Sequence, residues 1–275
     1  MPLVSVSPAA APSGTLVVLG GGDDDPLLTR LAALLPDRQA PIEVLTTATR
    51  RQPARTAAAY AHAWQQLGYP HVRHLEVDEE HPADDPATLT RLRRAALVFM
   101  SGGDQERLTE FLLNTEFLTI LKHKYQHEPG FVLAGTSAGA SAVAEFMLVG
   151  GHGWRSLLGG NISVLPGLGL LAGVLIDQHF AERGRYPRLL HAVLAQPALL
   201  GIGLSEETGL LIRPGQPAEI FGDEAVVVID AGAVTHNNLP DLPDHEVISG
   251  HNLRLHLLTA GQQLDLNTRT VRAAG

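Results

Sequence analysis

From Gly14 to Ser137 the chain alternates short β-branched runs with amphipathic segments, and this rhythm constrains its folding more than any other feature. "GTLVVLGGGDD" gives way to "PLLTRLAALL", "IEVLTTAT" to "RTAAAYAHAWQQLGY", "VRHLEV" to "ATLTRLRRA" and "ALVFMSGGD" to "QERLTEFLLN", before "FVLAGTS" closes the series. The apolar or alternating runs read as strands, and the runs with helical spacing as helices. A helix between two strands returns the chain to the same end of the sheet, so the strands run parallel, and a parallel sheet is stable only with both faces covered. The expected fold is α/β: a three-layer, mostly parallel sheet with helices on both faces. Beyond it, "GLGLLAGVLIDQHF" reads as a strand ending near His179, "YPRLLHAVLAQ" as a helix begun by Pro187, and "LGIGLS" as a further strand. After Gly209 short alternating runs separated by turn residues predict antiparallel strands added at the sheet edge toward the C-terminal end.

With 275 residues, 45% of them hydrophobic, the chain can bury a full core, so residues 14–275 are expected to form one α/β domain behind a flexible arm over 1–13. That arm, "MPLVSVSPAAAPS", lacks the basic start of a secretory signal, and no run approaches the roughly 20 apolar residues of a membrane span. A cytoplasmic protein with no membrane partner is expected. The absence of cysteine removes disulfides, thiolate metal sites and cysteine nucleophiles together. A net charge of −9 disfavours a nucleic-acid partner and favours a cationic one.

Three glycine-rich turns, Gly20 to Gly22, Gly102-Gly103 and Gly135 to Gly139, fall at the carboxyl ends of strands, the edge along which open parallel sheets bind ligands. The first lacks dinucleotide-binding spacing and carries three carboxylates where a pyrophosphate would lie, so it is either a tight turn or part of a different site. Gly135-x-Ser137-x-Gly139 has the form of a nucleophile elbow, in which small neighbours let a serine stand above the sheet on a sharp turn. The Ala138 amide would then serve an oxyanion, with Gly103 or Asp104 as second donor. His179 ends a strand at the same edge, 42 residues after Ser137, with room for one loop and one strand between them. It is the candidate general base. Arg183, Arg185 and Arg188 crowd the start of the following helix, where cations oppose the helix dipole. Either an internal carboxylate or a bound anion compensates them.

"SGGDQERL", "GTSAGASA", "DQHFAERGRYPRLL" and "LGIGLSEET" together resemble the motif set of the cyanophycinases, serine peptidases related to bacterial aspartyl dipeptidases. The resemblance runs from about Gly20 to the carboxyl end. It implies a flavodoxin-like or class I glutamine amidotransferase-like fold, a homodimer, no cofactor and no metal. It also implies hydrolysis of cyanophycin, a poly-aspartate whose side-chain carboxyls carry arginine in isopeptide linkage, to β-aspartyl-arginine dipeptides. By the same resemblance Ser137 is the nucleophile, His179 its base, and Gln105, Asp177, Gln178, Arg183, Arg185 and Arg188 contact substrate. An acid orienting the histidine is expected in the loop after the elbow, yet Gly150 to Asn161 contains no carboxylate, with Trp154 and Arg155 where that acid should stand. Glu206 and Asp177 are the alternative acids, and a backbone carbonyl could also serve. Two other readings follow from that loop: an isoaspartyl or other acidic-peptide hydrolase, and a catalytically impaired relative that binds arginine-rich peptides.

Overall fold

The computed structural model describes residues 11–273; residues 1–10 of the expected arm lie outside them. Strands β1 (Thr15–Leu19), β2 (Ile42–Leu45), β3 (Val72–Leu75), β4 (Leu97–Met100) and β5 (Val132–Thr136) run parallel in the order β1-β5-β4-β2-β3. Helices α1 (Asp25–Ala32), α2 (Pro53–Gln66), α3 (Pro86–Arg94), α4 (Gln105–Leu112) and α5 (Glu116–His127) connect them. Alternate residues of β1 divide the core as the strand period requires. Val17 and Leu19 pack with α1 and α2 on one face, and Leu16 and Val18 with α3, α4 and α5 on the other. Helix α5, with Phe117, Leu118 and Leu121 buried, is an additional helix between α4 and β5 that the alternation of runs does not include.

Beyond β1 the sheet continues antiparallel through Thr208–Ile212, Ala218–Gly222, Gln263–Asp265 and Thr270–Arg272, which makes nine strands. Expected edge strands therefore extend it, but not all late strands join. Val174–Asp177, Leu200–Leu204, Val226–Asp230 and Arg254–Leu258 form a separate four-stranded sheet. The strand that leads to His179 thus belongs to this second sheet, not to the parallel one. Its first three strands bury both faces, Val174, Ile176 and Ile202 toward the core of the large sheet and Leu175, Val227 and Ile229 against a helix, Tyr186–Ala195, whereas the edge strand Arg254–Leu258 exposes Leu255 and Leu257. Apolar runs buried on both sides carry no alternation to tell which sheet they enter.

The helix after β5 is also shorter than its small residues suggest. It spans only Ala138–Ala142 (α6), and Tyr186–Ala195 is α7. Glu145 and Phe146 lie past the end of α6, and Phe146–Leu148 pairs with Val164–Pro166 as a small hairpin.

Candidate active site

The two sheets meet at one edge, and the candidate residues gather there from three chain segments. Ser137 follows β5 of the large sheet, His179 follows Val174–Asp177 of the second, and Glu206 lies on the turn that carries the chain from the second sheet (Leu200–Leu204) into the first (Thr208–Ile212). The end of β1 ties the three together with successive carbonyls. Leu19 accepts from the amide of Ser137 at 3.0 Å, Gly20 from that of His179 at 3.0 Å, and Gly21 from that of Glu207 at 2.9 Å.

Ser137 adopts φ 50° and ψ −110°, a conformation that costs a residue with a Cβ about 1–3 kcal/mol. His179 (φ 46°) and Glu207 (φ 53°) are also left-handed, so strain concentrates at this edge. The elbow closes because its glycines are bare: a Cβ on Gly135 would lie 2.5 Å from the Gly139 carbonyl oxygen, and one on Gly139 2.5 Å from that of Met100. Gly21 allows a different approach. A Cβ there would stand 2.4 Å from Cε1 of His179, so the imidazole rests on the bare backbone of this turn. The first glycine turn is therefore part of the site, which its spacing alone left open.

The Oγ of Ser137 lies 2.8 Å from Nε2 of His179, and Nδ1 of His179 lies 2.5 Å from Oε1 of Glu206. With Nδ1–H donating to Glu206, Nε2 is left as an acceptor for the serine hydroxyl. Burial pushes the His179 pKa below the ordinary imidazole value; Glu206 opposes the shift, and Arg183 and Arg185 add to it. The imidazole is consequently neutral at neutral pH and able to take a proton. The expected acid in the loop after the elbow is corrected: Gly153–Leu157 forms a short 3-10 turn packed on α7, away from Nδ1, so its lack of a carboxylate leaves the imidazole with its partner.

Asp177 is likewise not an orienting acid. It accepts from Arg185 Nη1 at 2.9 Å and from Arg188 Nε at 2.7 Å, with a further contact to Arg188 Nη2, and it is 1% exposed. Strand residues two apart would share a face, but the strand ends at Asp177 and His179 turns out of it at φ 46°, so the two side chains go to different partners. Arg188, 4% exposed, also reaches the Gly150 carbonyl. Asp177 and Arg188 thus compensate one another inside the protein and do not line the cleft. Arg183 is exposed and forms no ion pair among the described residues.

Gln105, Gln178, Arg183 and Arg185 line a cleft of about 490 Å³ together with Ser137 and His179. Gln178 Nε2 donates to Gln105 Oε1 at 3.3 Å; its own Oε1 accepts from Ser141 at 2.8 Å and from Arg185 at 3.1 Å. Of the expected oxyanion donors, the amides of Gly103 and Ala138 have no acceptor among the described residues. The Asp104 amide does not qualify, because it donates to the Ala48 carbonyl at 2.8 Å; the Asp104 carboxylate caps α4 and holds Arg50. Sequence reading missed Asp24. It is 5% exposed, accepts from Tyr60 at 2.8 Å and from Thr136, the neighbour of Ser137, at 2.9 Å, and burial raises its pKa to about 6. A lone acidic residue in "GDDDPL" carries no signal to separate it from its solvated neighbours.

A sequence model of Peptidase family S51 matches residues 16–220. The chain is 32% identical over 272 residues to a cyanophycinase of Trichormus variabilis, covering 98% of this chain and 90% of that protein. To a cyanophycinase of Synechococcus elongatus it is 33% identical over 263 residues, 94% of this chain and 81% of the other. Among solved structures, a peptidase from an acI-B1 Actinobacterium superposes with a TM-score of 0.67 at 25% identity, covering 93% of this chain and 98% of that one. A serine elbow on an α/β sheet, with sequence likeness over nearly its full length, identifies the chain as a serine-type peptidase that belongs to family S51 and groups with its cyanophycinases.

Proposed function

We propose that this peptidase hydrolyses cyanophycin to β-aspartyl-arginine dipeptides through an acyl-enzyme, with Ser137 as nucleophile, His179 as general base and Glu206 as the acid behind it. The observation that carries the reading is the unbroken line from Ser137 Oγ through both nitrogens of His179 to Glu206. Ser137 attacks the scissile carbonyl while His179 Nε2 takes its proton. Glu206 holds the ring in the tautomer that can accept it and stabilises the imidazolium that forms. The tetrahedral oxyanion is stabilised by the amides of Gly103 and Ala138. Collapse expels the amine, which takes the proton from His179, and water then attacks the ester with His179 again as base.

The substrate reading draws on the likeness to named cyanophycinases and on charge. An acidic chain attracts the guanidinium groups of the polymer, while Arg183 at the cleft offers a local partner for the free carboxylate each arginine retains. The test is incubation of purified protein with cyanophycin and chromatography of the products. Wild type should release β-aspartyl-arginine and Ser137→Ala should lower that release by about 10⁴-fold or more. Release by Ser137→Ala at the wild-type rate, or turnover of short isoaspartyl dipeptides with none of the polymer, would overturn the respective half of the reading.

A further inference from the structure

The glycine turn after β1 carries both His179 and Glu206 on bare backbone. A Cβ on Gly21 would lie 2.4 Å from Cε1 of His179, and one on Gly22 2.8 Å from Cβ of Glu206. Both glycines are left-handed, at φ +97° and +87°. Glycine loses more conformational freedom on folding than any other residue, so such a turn keeps its shape only where both of its ends are held. The near end is held by the sheet, since the Gly20 amide donates to the Thr208 carbonyl at 2.9 Å. The far end is the run of three aspartates, Asp23 to Asp25.

Asp23 and Asp25 are exposed, and Asp24 alone is buried. Its carbonyl opens α1, accepting from the amides of Leu27 at 2.9 Å and Leu28 at 3.1 Å. An aspartate in that place ordinarily caps the helix with its side chain as well. Here the side chain makes no capping bond. It turns inward, where Oδ1 accepts from the Thr136 hydroxyl at 2.9 Å and Oδ2 from the Tyr60 hydroxyl of α2 at 2.8 Å. The arrangement forgoes a cap and buries a carboxylate, and burial, with Asp23 and Asp25 adding to it, raises the pKa to about 6 against both hydroxyls. Costly arrangements of this kind gather at functional sites. Thr136, 2% exposed, is the last residue of β5 and passes directly into the strained turn of Ser137.

We infer that Asp24 is a positioning residue for hydrolysis: by holding the Thr136 hydroxyl it fixes the glycine turn beneath His179 and Glu206 to the strand end that presents Ser137. The base and its acid are thereby registered against the nucleophile by one side-chain bond, in addition to the backbone bonds of β1. The inference rests on the proposed catalytic line and is independent of which substrate the enzyme cleaves.

The test is reaction with a fluorophosphonate, in which Ser137 Oγ bonds to phosphorus, fluoride leaves and His179 takes the serine proton; no peptide substrate is needed. Second-order rates are measured for folded protein, well below each unfolding midpoint. Asp24→Ala and Thr136→Val should each slow the reaction by about 10- to 100-fold, the scale of a displacement of about 1 Å or less. The double variant Asp24→Ala/Thr136→Val should be no slower than Asp24→Ala, because both changes remove the same bond. Asp24→Asn keeps an acceptor for Thr136 and should stay within about threefold of wild type. Tyr60→Phe cuts only the bond to α2, so it should lower the unfolding midpoint and leave the rate within the same margin. A wild-type rate in Thr136→Val, multiplied effects in the double variant, no recovery in Asp24→Asn, or equal slowing by Tyr60→Phe each overturns the proposal. Wild type that does not react overturns it together with the proposed mechanism, whereas wild type that reacts but leaves cyanophycin whole defeats the substrate reading alone.

Discussion

The imidazole of His179 is pulled in two directions. Burial is the largest influence and disfavours its cation, as do Arg183 and Arg185, while Glu206 favours it. His179 must be neutral to accept the Ser137 proton, so activity is lost as pH falls through its pKa. Because that value is lowered, the acid limb of kcat/KM should lie below the ordinary imidazole value of 6.5. Arg183→Gln removes one of the cations and should move the limb upward, as a pH–rate profile will show; an unmoved or lowered limb contradicts this balance. Ser137 and His179 were legible in the sequence because an elbow needs small neighbours and a strand end fixes where a side chain emerges. The acid was not. Glu206 is one of two adjacent glutamates in "SEET", and only the passage of the chain between two sheets at that point brings it to Nδ1.

Among the elements, the end of β1 does more than turn the chain. Its three consecutive carbonyls anchor the segments of Ser137, His179 and Glu206, and the bare backbone of Gly21 seats the imidazole. Gly21→Ala would put a methyl 2.4 Å from Cε1 of His179 at a φ of +97°, and the ring, held at both nitrogens, would have to move. A displacement of about 1 Å costs on the order of 10² in rate, so kcat should fall by about that factor with the fold retained by circular dichroism. A kcat near wild type would show that the ring does not depend on this turn. The sequence placed this glycine turn on the ligand edge but could not show what it supports, because glycine marks tight turns and close approaches alike. The arginine run was legible only as a charge problem. Its solution is divided: Asp177 satisfies Arg185 and Arg188 internally, and Arg183 has no paired acid among the described residues.

At the scale of the molecule, the parallel sheet and its antiparallel extension follow from the alternation of strand and helix runs, whereas the second sheet does not. Three of its strands, Val174–Asp177, Leu200–Leu204 and Val226–Asp230, are largely apolar runs buried on one side against the large sheet and on the other against α7, and nothing local says which neighbours they choose. The candidate site depends on that choice, since Ser137 stands on one sheet, His179 on the other and Glu206 between them. Urea unfolding followed by far-UV circular dichroism and by activity should therefore give coincident transitions; loss of activity well before any loss of ellipticity would mean that the two sheets separate independently. The most direct test of the central claim, that Glu206 completes a catalytic line with His179 and Ser137, is kcat for cyanophycin cleavage by Glu206→Gln. A drop of about 10³–10⁴ with an unchanged unfolding midpoint is the expected result, by analogy with removal of the orienting carboxylate in serine proteases. A rate within threefold of wild type would contradict it.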